Sequence, residues 1–119
     1  MAQHNEFGKK GEALAIEHLK TNGYAILEKN WRYQKAEVDI IAEKDNTLIA
    51  VEVKARSSDY FGDPQDFVSK KKIQLLVLAM DAYAKEQNSD KEIRFDIIAI
   101  LKEANKLKIE HIVDAFLYF

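Results

Sequence analysis

Residues 37–56, EVDIIAEKDNTLIAVEVKAR, constrain this chain more than any other stretch. Two runs rich in β-branched residues flank Lys44, Asp45, Asn46 and Thr47, and runs separated by Asp/Asn turn chemistry form a β-hairpin. Side chains alternate faces along a strand. Glu37, Asp39 and Ile41 are therefore expected on one face, and Val38, Ile40 and Ala42 on the other. On the second strand Glu52, Lys54 and Arg56 lie opposite Val51, Val53 and Ala55. A two-residue loop at Asp45-Asn46 and a four-residue loop from Lys44 to Thr47 give the same register. Either sets Asp39 directly across from Glu52, and Glu37 across from Lys54.

Directly opposed residues hold their Cβ atoms roughly 4.5–5.5 Å apart, and like charges placed so repel. A divalent cation would remove that repulsion and bind both acids. Hard cations such as Mg²⁺ take oxygen ligands, commonly one or two protein carboxylates together with substrate phosphates. Lys54 points to the same side as Glu52 and can polarise a phosphate or activate a water. Alternating charge on a strand also marks a plain solvated face, so this motif gains its weight from the rest of the chain.

At 119 residues the chain reads as one domain, residues 1–119, and 47% hydrophobic residues supply a core. One Pro and four Gly argue against a disordered tail. The absence of Cys excludes disulfides, thiolate zinc sites and cysteine nucleophiles, and fits a reducing cytoplasm. No apolar run approaches a membrane span, and the first residues lack the apolar core of a secretory signal. The expectation is a soluble cytoplasmic protein that does not engage a membrane. A net charge of −2 means that nucleic-acid binding must rest on a local basic patch and on metal at an acidic site.

Asn5 is a plausible cap for a first helix that stops at Gly23. On that helix Glu12, Ala15, Ile16 and Leu19 follow the i, i+3, i+4, i+7 rule, so Glu12 is in line with the core-facing stripe. Gly8 and Gly11 in a helix suggest close approach by another backbone or a ligand. Glu12 is either a third acid aimed at the hairpin or a first-turn Glu favoured by the helix dipole. Residues 24–33 read as a strand preceding the hairpin. Within it Arg32 is a candidate phosphate contact, and Trp31 reads as core rather than a base-stacking platform.

A loop with Tyr60, Phe61 and Gly62 follows the hairpin. Asp63-Pro64 starts a second helix, bent near Ser69 and running to about Gln87. Ile73, Leu76, Val77, Met80 and Ala84 make one apolar stripe, and Leu75, Leu78, Ala79 and Ala82 a second. A helix apolar on two sides is sandwiched inside its domain or against a partner subunit, which suggests a homodimer. Lys70, Lys71 and Lys72 in its first turns form either a phosphate-binding cluster or a solvated helix end. Residues 92–101 and 106–113 read as two further strands, and the apolar residues 115–119 are expected to dock on the core. His4, His18 and His111 show no ligand spacing. The order α-β-β-β-α-β-β describes an α/β (α+β) domain with helices packed on a mixed sheet.

Several motifs recur together: Gly8-x-x-Gly11-Glu12, Asn30-Trp31-Arg32, Glu37-x-Asp39-Ile40-Ile41, Val51-Glu52-Val53-Lys54-x-Arg56, Phe61-Gly62, Lys71, Arg94-Phe95-Asp96 and Asp114-Ala115-Phe116. In these the chain resembles the YraN-like family of uncharacterised bacterial proteins, placed in the PD-(D/E)xK nuclease superfamily and similar to archaeal Holliday-junction resolvases. The resemblance implies a restriction-endonuclease-like fold. It implies Mg²⁺ ligated by Asp39 and Glu52 with the Val53 backbone carbonyl assisting, Lys54 as the catalytic lysine, and Glu12 completing the acidic site. Lys71 would stand on the flanking helix. Val38 occupies the place where the superfamily name implies proline, and Ala36 the place where the family usually has glycine. Neither is a proposed ligand.

The expected function is a Mg²⁺- or Mn²⁺-dependent DNA endonuclease acting on branched or structured DNA. Arg32, Arg56, Lys70, Lys71 and Lys72 are its candidate backbone contacts. The alternative is a non-catalytic nucleic-acid-binding or assembly module that keeps the nuclease fold.

Overall fold

The computed structural model describes residues 2–57 and 68–116, with side chains from residue 7 onward. The elements run α1 (Ala2–Thr21), β1 (Ala25–Tyr33), β2 (Ala36–Lys44), β3 (Thr47–Ser57), α2 (Lys70–Glu86), β4 (Glu92–Glu103) and β5 (Lys106–Ile112). This is the α-β-β-β-α-β-β order expected from the sequence. The strands form one five-stranded mixed sheet in the order β1-β2-β3-β4-β5. β1, β2 and β3 make an antiparallel meander, β3 and β4 run parallel, and β5 returns antiparallel to β4. Parallel neighbours cannot be joined by a tight turn, and α2 lies in the connection that the parallel pair needs.

The hairpin closes as its Asp/Asn chemistry dictates. Lys44 pairs with Thr47, and Asp45 and Asn46 take φ of 51° and 60°. Positive φ at both loop residues defines the two-residue turn whose twist matches that of the flanking strands.

Both faces of the sheet are covered. Ala15 and Leu19 of α1 pack on Ile40, Ala42, Ile49, Val51, Ile98 and Ile100. On the other face Leu76, Ala79, Met80 and Tyr83 of α2 pack on Val38, Ile41, Leu48, Ala50, Phe95 and Ile97. Strands buried on two faces read as near-continuous apolar runs, which is why β2, β3 and β4 alternate so poorly in hydrophobicity.

The first helix differs from expectation at its start. α1 begins at Ala2, which places Asn5 inside the helix rather than at its cap. No Pro or Gly lies between residues 2 and 7 to stop it. Its end is as expected: Gly23 has φ 86°, and Lys44 Nζ donates to the Asn22 carbonyl at 2.7 Å, a cation at a helix C-terminus. Asp63, Pro64, Tyr60, Phe61 and Gly62 lie outside the described residues. Ser69 caps the start of α2. Its φ and ψ are −73° and 161°, and its Oγ accepts the Lys72 amide at 3.1 Å.

Close approach occurs at Gly11, where a Cβ would stand 3.4 Å from Ala55 Cβ and from Ile100 Cγ1. At Gly8 a Cβ would meet nothing within 4 Å among the described residues, so the second expected approach is not found. Of the second apolar stripe on α2, Ala79 is fully buried and Leu75 packs on the core, whereas Leu78 is 46% exposed. Beyond β5 the Ala115 amide donates to the Phe95 carbonyl at 2.7 Å and Phe116 is buried, as the docking of this segment requires. Residues 117–119 lie outside the described residues. Among those described, no helix is long and apolar enough to cross a membrane.

Candidate active site

The site opens where β2 and β3 part. Their pairing follows the expected register from Lys44 and Thr47 to Ile40 and Val51 and ends there, one step short of Asp39 and Glu52. Glu37 pairs with Arg32 of β1 instead of Lys54, and the two side chains form an ion pair at 3.3 Å.

The cause is a break in alternation at Asp39. Val38 and Ile41 pack on the α2 side, while Ile40 and Ala42 pack on the α1 side. Residues 38 and 40, two apart, thus lie on opposite faces, against the expected grouping. Opposite Asp39, between the pairs Lys29 with Ile40 and Trp31 with Val38, Asn30 takes φ 51°. Asn tolerates that left-handed conformation better than most residues because its short side chain can bond locally. With the strands parted, the Asp39 carboxylate reaches across the gap and accepts the Val53 amide at 2.8 Å.

Glu52 keeps its expected place. Val51, Val53 and Ala55 pack on the α1 side, and Glu52 is directed to the α2 side, where Oε2 lies 3.4 Å from Lys54 Nζ and 3.5 Å from Lys72 Nζ. Glu52 is only 4% exposed, and its Oε1 is buried with no hydrogen-bond partner among the described residues. An orphaned buried carboxylate oxygen is costly, since a charge taken from water needs compensation on both oxygens.

Asp39 feels the same deficit. Burial, then the Glu52 charge and more weakly the Glu12 charge, push its carboxyl up to about 7, against the opposing Val53 hydrogen bond and the Lys72 charge. Glu52 keeps one oxygen that neither lysine engages, and the neighbouring Asp39 resists ionisation, a pair of acids that a divalent cation would fit. Val53 has its N–H directed at Asp39, and the carbonyl of an extended residue points the same way as its own N–H. Among the described residues no three His, Cys, Asp or Glu side chains gather as a metal cage. Two acids and a carbonyl leave coordination positions for water and phosphate, the usual habit of Mg²⁺.

Glu12 is half-buried on α1 and lines a cleft of about 280 Å³ with Phe7, Gly8, Lys9, Val53, Ala55 and Arg56. It adds charge to the site without closing a three-acid group with Asp39 and Glu52. Arg56 donates from Nη1 to the Ala55 carbonyl at 2.8 Å. Arg32 is 75% exposed beside its Glu37 partner. Of the lysine run, Lys72 reaches the site, while Lys70 and Lys71 stand exposed on the first turn of α2. Trp31 packs against the core and meets Tyr83 edge-on, with ring centroids 5.1 Å apart.

Sequence reasoning missed a second polar cluster, under the C-terminal half of α1. Asp96, fully buried, receives Arg94 Nε and Nη2 at 2.9 Å each and the Asp114 amide at 3.0 Å, with His111 Nε2 at 2.9 Å. Arg94 also donates to the Tyr24 hydroxyl at 3.0 Å, and His18 Nε2 lies 3.2 Å from His111 Nδ1. Burial alone would raise the Asp96 pKa, but its hydrogen bonds from His111, Arg94 and the Asp114 amide outweigh that and hold it below the usual carboxylate range. Burial, with the neighbouring His111, pushes His18 down. The signal in the sequence was Asp96 itself, a lone charge within the apolar run FDIIAIL. His18 and His111 are 93 residues apart, and their spacing carried none.

The model of a family described as "Uncharacterised protein family UPF0102" matches residues 11–100, which include Glu12, Asp39, Glu52, Lys54 and Lys72. A UPF0102 protein of Christiangramia forsetii is 63% identical over 119 residues, covering all of both chains. One of Flavobacterium psychrophilum is 59% identical, also over the whole of both chains. One of Phocaeicola vulgatus is 47% identical over 98% of this chain and 96% of its own.

Proposed function

The chain belongs to the UPF0102 family, and we propose that it is a divalent-metal-dependent endonuclease of the PD-(D/E)xK type that hydrolyses phosphodiester bonds in branched or structured DNA. The observation that carries this reading is the orphaned, buried Oε1 of Glu52 beside an Asp39 that resists ionisation. A divalent cation held by the two acids would relieve both. Mg²⁺ or Mn²⁺ held by Asp39, Glu52 and the Val53 carbonyl would supply Lewis acidity toward water and the scissile phosphate.

The chain's own groups divide the remaining work. Asp39 is anchored to β3 through the Val53 amide, so both acids are positioned from one strand. Lys54 and Lys72 stand at Glu52 Oε2 and are placed to hold the phosphate oxygens. Glu12 would add negative charge toward the metal from α1. Arg32, Arg56, Lys70 and Lys71 are backbone contacts that give affinity without sequence information. A local patch of this kind works in a chain of net charge −2 because screening confines each surface charge to about 8–10 Å.

The test is cleavage of plasmid, flap and four-way-junction DNA with Mg²⁺ or Mn²⁺, comparing the wild type with Asp39→Asn, Glu52→Gln and Lys54→Ala. Metal-dependent cleavage that each substitution abolishes, with DNA binding retained, is the expected result. Binding without cleavage of any substrate by the wild type would replace the enzyme by a nucleic-acid-binding module.

A further inference from the structure

We infer that two copies of this chain join edge to edge through β5, antiparallel about a two-fold axis at Ile109, so that their sheets run on as one. The sheet has two edges, and they are built differently. β1 is interrupted by a register shift between Ile26 and Glu28 and by the left-handed Asn30. Bulges of this kind are how natural edges are blunted against pairing. β5 has none: it pairs with β4 without a shift from Glu103 and Lys106 to Ile97 and Ile112. Among the described residues no strand pairs with its outer side, which leaves a row of main-chain donors and acceptors, the template that a further strand requires.

The sequence of β5, KLKIEHI, is complementary to itself read backwards. With Ile109 on the axis, Lys108 of each copy stands opposite Glu110 of the other, and Ile109 meets Ile109. Moving the axis to Lys108 or to Glu110 would oppose like charges at the centre, so charge selects this register. The faces agree. Ile109 pairs with Ile100, which packs on the α1 side, so Ile109 and Leu107 share that face while Lys108 and Glu110 share the other. Leu107 and Ile109 are each 37% exposed, an unusual expense at an edge. Neither Lys108 nor Glu110 has an ion-pair partner among the described residues. The inference does not depend on the nuclease reading.

The experiment measures the mass of the full chain in solution by light scattering and sedimentation equilibrium. The wild type is expected to be a dimer. Lys108→Glu and Glu110→Lys each oppose like charges twice and should raise the dissociation constant about tenfold or more. The double reversal Lys108→Glu/Glu110→Lys should return it to within about threefold of the wild type. An equimolar mixture of the two single variants should form a heterodimer, because each then supplies the charge that the other needs. Both substituted residues are exposed, and a wild-type circular dichroism spectrum with a cooperative melt shows that the variants fold. A monomeric wild type, a dimer indifferent to the single reversals, or failure of both the double variant and the mixture to recover dimer would each overturn the inference.

Discussion

The Asp39 carboxylate accepts the Val53 amide at 2.8 Å, across a gap where β2 and β3 no longer pair main chain to main chain. An acid from one strand is thereby fixed to its neighbour at the residue immediately after the buried Glu52. The bond replaces the direct opposition that an unbroken hairpin would impose. It also explains how two carboxylates stay close without a shared ladder position.

Asp39 makes stability depend on pH in an identifiable direction. Its folded pKa of about 7 lies above the ordinary 3.8, so its contribution is full below 3.8 and is lost as pH rises through 7. In chelator, the wild type should lose stability relative to Asp39→Asn between those limits, with a slope approaching about 1.4 kcal/mol per pH unit. Urea titrations of both proteins at a series of pH values read this directly. Equal slopes for the two proteins would show that Asp39 does not carry the shift.

Lys72 should matter where Lys71 does not. Lys72 lies 3.5 Å from Glu52 Oε2, while Lys71 is exposed. Lys72→Ala is expected to lower the rate of DNA cleavage by about 100–1,000-fold, the scale of a lost electrostatic contact to a reacting group. Lys71→Ala should stay within about threefold and act mainly through the salt dependence of binding. Single-turnover cleavage at fixed ionic strength separates them.

The Asp96 cluster should behave as a stability element. Arg94→Met leaves a fully buried carboxylate without its bidentate partner and should cost about 3–5 kcal/mol in urea unfolding. Asp96 titrates opposite to Asp39: its folded pKa lies below 3.8, so its contribution is present above that value and is lost as pH falls through the folded value. Acid unfolding of the wild type should therefore be steeper than that of Asp96→Asn, which circular dichroism below pH 4 would reveal.

The two glycines of α1 should respond with opposite signs. Gly11→Leu forces a side chain against Ala55 and Ile100 and should destabilise by about 1–3 kcal/mol. Gly8→Ala meets open space and should stabilise by up to about 1 kcal/mol through helix propensity. Thermal melts of the two variants test the pair.

Local rules determined much of this protein from its residues alone. Asp45 and Asn46 fix the turn because they tolerate positive φ, and the turn fixes the register as far as Ile40 and Val51. Period-two alternation placed Glu52 opposite Val51 and Val53, and Gly23 ended α1 where only a left-handed residue serves. Tertiary structure decided the rest. The switch of face at Asp39 needs Asn30 on the adjacent strand, and a period read along one strand does not contain its neighbour's backbone. Which lysine of 70–72 meets Glu52 depends on where Ser69 caps α2 and how the helix then rotates over the sheet. His18 and His111 meet only because α1 packs on the face of the sheet to which His111 of β5 is directed, a juxtaposition made by long-range burial and invisible to spacing along the chain.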